Sequence, residues 1–135
     1  MVHEVGQLRD RGAAAVEFAL LLPVVLLIIF GIIDFGRMLN AQLTLTQAAR
    51  EGARATALFD ETQGAARVQR AAQGLGTVES DIDQCPSQPG PEHDAQVTVT
   101  YDFTFVTPLG FIAGWLNGAN DTIELTGQGV MPCLH

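Results

Sequence analysis

Leu20-Leu21-Leu22-Pro23-Val24-Val25-Leu26-Leu27-Ile28-Ile29-Phe30 contains no polar side chain and shows no amphipathic period. Between Gly12 and Asp34 the one ionisable residue is Glu17. At the helical rise, residues 13–33 span about 31 Å, the thickness of a bilayer's hydrocarbon core. A soluble helix apolar on every side needs a much larger protein around it, and this chain has 135 residues. The segment therefore reads as a transmembrane helix. A cleaved secretory signal has a shorter apolar core and a small-x-small cut site, which Ile32-Ile33-Asp34-Phe35-Gly36-Arg37 does not provide. Arg9 and Arg11 precede the segment and Arg37 follows it, a bias that favours a cytoplasmic N-terminus and an extracytoplasmic C-terminal domain.

Beyond the segment, helix formers run without a breaker to about Phe59, and the spacing predicts one helix from Ala13 to Leu58. Residues 34–58 then form a stalk that continues the span. Ala49, Ala53 and Ala57 recur every fourth residue, a small-residue stripe best suited to packing on the protein's own sheet. Arg50 and Arg54 lie one turn apart with Glu51 between them and read as a solvated face, with no ligand assigned. Asp60-Glu61-Thr62-Gln63 has the form of a capping box and predicts a second helix to about Gln73, stopped by Gly74 and Gly76.

From Val78 the period changes. Val78–Ile82 reads as a short strand, and Pro86, Pro89, Gly90 and Pro91 mark a loop. Residues 96–106 alternate strictly, with Val97, Val99, Tyr101, Phe103 and Phe105 on one face. Phe111–Leu116 is a short apolar turn or helix that either closes the core or touches the membrane, and Thr122–Val130 is a final antiparallel strand. The expected class is α+β: a long transmembrane and stalk helix, a second short helix and a small antiparallel sheet. The expected division is 1–12 leader, 13–33 transmembrane helix, 34–58 stalk and 59–135 exported domain.

The formal charge is −8, and from Ala41 onward four Arg face eleven Asp and Glu. Such an acidic domain excludes nucleic acid as a partner, because phosphate binding needs clustered cations. Cys85 and Cys133 are the chain's two cysteines, and in an oxidising compartment they favour one disulfide. His3, His93 and His135 stand apart in the sequence and no Cys-x2-Cys occurs, so no metal and no cofactor is expected. No phosphate loop, nucleophile elbow or His–carboxylate spacing points to an enzyme.

Glu17 lies about one turn inside the apolar run, where snorkelling eases the cost of a buried carboxylate. Its context carries more information. Arg11-Gly12-Ala13-Ala14-Ala15-Val16-Glu17-Phe18-Ala19-Leu20, followed by Leu22-Pro23, Gly31–Arg37 and Gln47–Ala55, resembles TadE-like pseudopilins of the tight-adherence (Flp, type IVc) pilus. The resemblance runs from about Arg9 to Ala57. It implies a pilin-like, membrane-bound pilus assembly protein involved in cell adhesion. It also implies a processing site of Gly12, Ala13, Glu17 and Phe18, cut after Gly12 by a prepilin peptidase. Glycine lets the scissile backbone approach a membrane protease closely, and the cut creates an ammonium group at Ala13. In a bundle of such helices, Glu17 could pair with the Ala13 amine of a neighbouring subunit, offsetting its desolvation. The implied partners are the peptidase, other pilins or pseudopilins, the assembly platform and the lipid bilayer. The competing reading is a single-pass anchor carrying a binding module for a small ligand or glycan. Pro23 frees the Ala19 carbonyl and kinks the helix on either reading.

Overall fold

The computed structural model describes residues 3–87, 93–117 and 122–133. Its axis is one 56-residue helix, α1, His3–Leu58, about 84 Å long. The helix begins ten residues ahead of its expected start at Ala13, so residues 3–12 of the leader are helical too. The stretch before Ala13 contains no proline, and its glycines weaken a helix without ending it. Pro23 likewise sits inside the continuous helix.

Two stretches of α1 differ in what covers them. From Val16 to Ile29 its large apolar side chains are exposed. From Asp34 onward a buried stripe appears at helical spacing: Asp34, Ala41, Leu45, Ala48, Ala49, Gly52, Ala53 and Thr56. The three later elements that cover this stripe are a short helix and two strands of a sheet.

The short helix is α2, Glu61–Ala71. Asp60 caps it as the sequence predicts, its Oδ1 accepting from the Gln63 amide at 2.8 Å. The helix ends two residues before the expected Gln73, with Ala72 as C-cap. Strands β1 (Glu79–Asp83), β2 (Asp94–Thr104) and β3 (Thr122–Pro132) form an antiparallel meander in the order β1-β2-β3. Ser80 lies opposite Val99, and Val97 opposite Gly129. The alternation read for β2 holds at Val97, Val99 and Phe103, which are buried, while Tyr101 is half-buried.

Phe105 and Val106, expected in that strand, lie beyond it. The Val106 and Thr107 amides donate to the Asp34 carboxylate and so are lost to the ladder. Phe105 still packs edge-on against Phe103, with ring centroids 5.6 Å apart. Leu45, Ala48, Ala49 and Ala53 of α1, Val68 and Ala72 beside them, and Val78, Val97 and Val99 close the core. The fold is therefore α+β, with α1 and α2 on one face of a three-stranded sheet.

The helix comes unusually close to β3. A Cβ on Gly129 would stand 2.4 Å from the Ala49 carbonyl carbon and oxygen, and one on Gly127 2.6 Å from the Leu45 carbonyl carbon. Because strand side chains alternate, two glycines two residues apart clear one face for a helix backbone. Ala49 and Ala53 thus pack inside the domain, as the sequence reading preferred, while Ala57 is only half-buried. At the far end of the sheet, Cys85 and Cys133 are disulfide-bonded with Cα atoms 5.8 Å apart. The bond ties the loop after β1 to the residue after β3. Pro89, Gly90, Pro91 and His135 lie outside the described residues.

Candidate processing site and membrane-proximal junction

The residues expected at the processing site lie on an uncovered part of α1. Gly12, Ala13, Glu17 and Phe18 are all exposed, and nothing comes within 4 Å of a Cβ built on Gly12. Ala13 and Glu17 are one helical turn apart on the same face. The apolar run above them touches little of its own chain, and α1 is the one helix among the described residues long and apolar enough to cross a membrane. Burying a single Leu, Val or Phe is worth about 1.5–3 kcal/mol, so so large an apolar surface needs a cover other than water.

Where that run ends, the chain builds a polar junction. Asp34 is 2% exposed and accepts from the Val106 amide at 3.2 Å, the Thr107 amide at 3.3 Å and the Thr107 hydroxyl. Arg37, one turn on, places a guanidinium nitrogen 3.6 Å from Asp34. Its Nη1 also donates to the Thr104 carbonyl at 3.4 Å, and the guanidinium lies 5.2 Å from the centre of the Phe103 ring. Burial pushes the Asp34 carboxyl up. The Thr107 hydroxyl, the Val106 and Thr107 amides and Arg37 outweigh it and hold the group below its ordinary value. A buried carboxylate with three donors and a cation is a fastener: it fixes the β2–β3 connection to α1 at the foot of the domain.

Sequence reasoning used Asp34 and Arg37 to mark the span's end, its orientation and the family resemblance, and missed this junction. A carboxylate and an arginine one turn apart at the edge of an apolar run were the available signal. Thr107, more than seventy residues away, gave none.

The C-terminal domain offers little resembling a catalytic site. Glu51, Arg54, Leu58, Phe59 and Arg67 line a shallow cleft of about 230 Å³. Glu79, Asp102 and Glu124 sit with Thr77, Thr100 and Tyr101 around another of about 320 Å³. No group of three metal-ligating side chains occurs among the described residues.

A family model described as TadE-like protein matches residues 12–54. The N-terminal segment is similar to that family. The match starts at Gly12, runs through Glu17, Asp34 and Arg37, and ends inside the buried stripe. The likeness covers 43 of the 135 residues, and the family it points to is one of the tight-adherence pilus. No curated protein and no solved structure matches the chain. The match thus covers the apolar run and all of the helix's buried stripe but its last turn, and leaves α2, the sheet and α3, the Leu109–Asn117 helix, outside it.

Proposed function

We propose that this protein is a minor pseudopilin-like subunit of a tight-adherence pilus, made as a prepilin and cut after Gly12. The observation that carries the proposal is a coincidence of position. The TadE-like match begins at the glycine that precedes Ala13-Ala14-Ala15-Val16-Glu17-Phe18, on an apolar helix that its own domain leaves bare. The N-terminus lies in the cytoplasm, residues 13–33 cross the membrane, and the α+β domain lies outside. The exposed position of Gly12 suits a protease, and glycine eases the local unwinding that a helical scissile bond requires. After the cut, the Ala13 ammonium and Glu17 carboxylate of adjacent subunits pair within the bundle. The domain beyond the span, absent from short all-helical major pilins, supplies the partner-specific surface.

The test is mass spectrometry of the full-length protein extracted from membranes after coexpression with its prepilin peptidase. A mass beginning at Ala13 supports the proposal, and an intact leader refutes it. Gly12→Leu should abolish the cut. Glu17→Ala should leave folding and cleavage unchanged and reduce co-purification with other pilins. Undiminished co-purification would remove Glu17 from the assembly contact.

A further inference from the structure

The 17 residues joining β2 to β3 include α3, Leu109–Asn117, in which no residue is charged. Successive points along this connection meet α1 at successively lower levels. Thr104 meets Arg37, and Val106 and Thr107 meet Asp34. Leu109 lies 3.9 Å from a Cβ built on Gly31, and Pro108, Leu109 and Ile112 share an apolar groove with Pro23, Leu26 and Phe30. The groove has a volume of about 320 Å³. The connection therefore runs down the helix, past the junction and alongside the apolar run. Pro23 is about 15 Å below Ile33 along the helix axis, close to the middle of a span formed by residues 13–33.

α3 is apolar outward as well as toward α1. Phe111 is 76% exposed, Trp115 82% and Ile112 41%. At about 13 Å it is too short to cross a bilayer. Three of its first four amides have acceptors: Leu109 donates to the Thr107 hydroxyl, Gly110 to the Thr107 carbonyl and Ile112 to the Pro108 carbonyl. A segment that enters lipid has to satisfy its backbone in this way.

We infer that α3 is a second membrane anchor, a short finger sunk into the outer leaflet beside the transmembrane helix and fastened there by the Asp34–Thr107 junction. The inference rests on the reading that residues 13–33 span the bilayer. Its occupant is lipid, because the bare face of α3 continues the bare face of the span at the same level. The finger fixes the height and tilt of the exported domain, which a single helix cannot do alone.

Trp115 is the chain's single tryptophan, so its fluorescence reports on α3 without a label. The full-length, disulfide-bonded protein is reconstituted in phosphatidylcholine–phosphatidylglycerol vesicles containing lipids brominated either near the headgroup end or near the methyl end of the acyl chain, in separate preparations. The expected result is blue-shifted Trp115 emission, mostly quenched by these lipids and little affected by aqueous iodide. Leu21→Trp in a Trp115→Phe background reports on the span in the same assay. If iodide quenches Trp115 while the Leu21→Trp probe is quenched by bromolipid, the span stands and the finger is refuted. If Trp115 is shielded from both quenchers while the Leu21→Trp probe is lipid-quenched, protein covers α3, and the inference fails in favour of a contact between copies. If neither probe is quenched by bromolipid, the span reading has failed and the finger falls with it.

Discussion

Gly129→Ala tests how closely the domain is built on its helix. The new methyl would stand 2.4 Å from the Ala49 carbonyl carbon and oxygen and 2.6 Å from the Arg50 nitrogen, where ordinary contact begins at 3.4 Å. All three obstructing atoms are backbone, and Ala49 is fully buried, so no rotamer change relieves the overlap. Relief requires α1 and β3 to separate by about 1 Å, and a radial gap of ~0.5–1 Å forfeits a quarter to a half of the contact energy across it. That loss extends to Leu45, Ala48 and Ala53, which share the interface with Val97 and Val99. Overpacking costs ~1–3 kcal/mol, and an unyielding backbone puts this case near the top of that range. For a domain of this size, about 3 kcal/mol corresponds to a fall in Tm of roughly 10 °C. The assay is thermal melting of full-length, disulfide-bonded protein in detergent, followed by near-UV circular dichroism. Gly74→Ala, where nothing lies within 4 Å of the added methyl, serves as the control. Adding Ala49→Gly should not rescue Gly129→Ala, because the obstruction is main chain. If Gly129→Ala melts with the control, or if Ala49→Gly restores it, the close approach is wrong.

The helix–helix contact makes the opposite prediction about rescue. A Cβ on Gly52 would meet Val68 Cγ2 at 2.5 Å, a side chain, so Gly52→Ala should destabilise by ~1–3 kcal/mol and Val68→Ala should recover part of that in a double-mutant melt. Strictly additive losses would count against this packing. Replacing Cys85 and Cys133 by serine opens a 48-residue separation and should cost up to about 4 kcal/mol in the same melts, with wild-type protein under reductant behaving alike. A shift below ~1 kcal/mol would mean that the bond contributes little. Asp34 predicts a pH dependence. Its folded pKa is lowered, so its contribution is fully present above the unfolded value and is lost as pH falls through the folded one, below about pH 4. Asp34→Asn should lose ~1.5–3 kcal/mol at neutral pH and show less acid sensitivity in that window; an unchanged pH profile would show that Asp34 does not carry the charge-dependent part of the junction.

The elements legible in the sequence are those whose signals are local. The apolar run declares itself by composition, the cap at Asp60 by spacing, and the inner face of β2 by alternation at Val97, Val99 and Phe103. The features that escaped depend on distant parts of the chain. The end of β2 is set by Asp34, which draws the next two amides out of the ladder from more than seventy residues away. The start of α1 escaped because a proline-free polar leader gives no reason for a helix to begin at one residue rather than another. Gly127 and Gly129 did leave a trace: alternate glycines inside an otherwise good strand mark the approach of another backbone. What they approach, Leu45 and Ala49, follows only from the fold. For α3 the sequence left core and membrane both open, and its level beside Gly31 and Pro23 came only with the fold.

The division of labour along α1 bears on how such a subunit can assemble. Its small-residue stripe, the surface most suited to close helix contact, is already used: Ala49 lies against Gly129, and Gly52 against Val68. Other helices therefore cannot reach that stripe without displacing the sheet or α2. What remains open on α1 is the apolar run from Val16 to Ile33, apart from the side that faces Pro108, Leu109 and Ile112, together with exposed Leu39 and Leu43 on the flank of the stalk. On the proposed pilus function, helix bundling between subunits is confined mainly to the apolar run, where Glu17 is the one carboxylate. A polar group in an otherwise uniform apolar surface sets register, because each alternative alignment leaves it unpaired. The folded domain uses up the stalk's packing face, and on the proposed function that leaves the choice of helix partner to the apolar run and to Glu17.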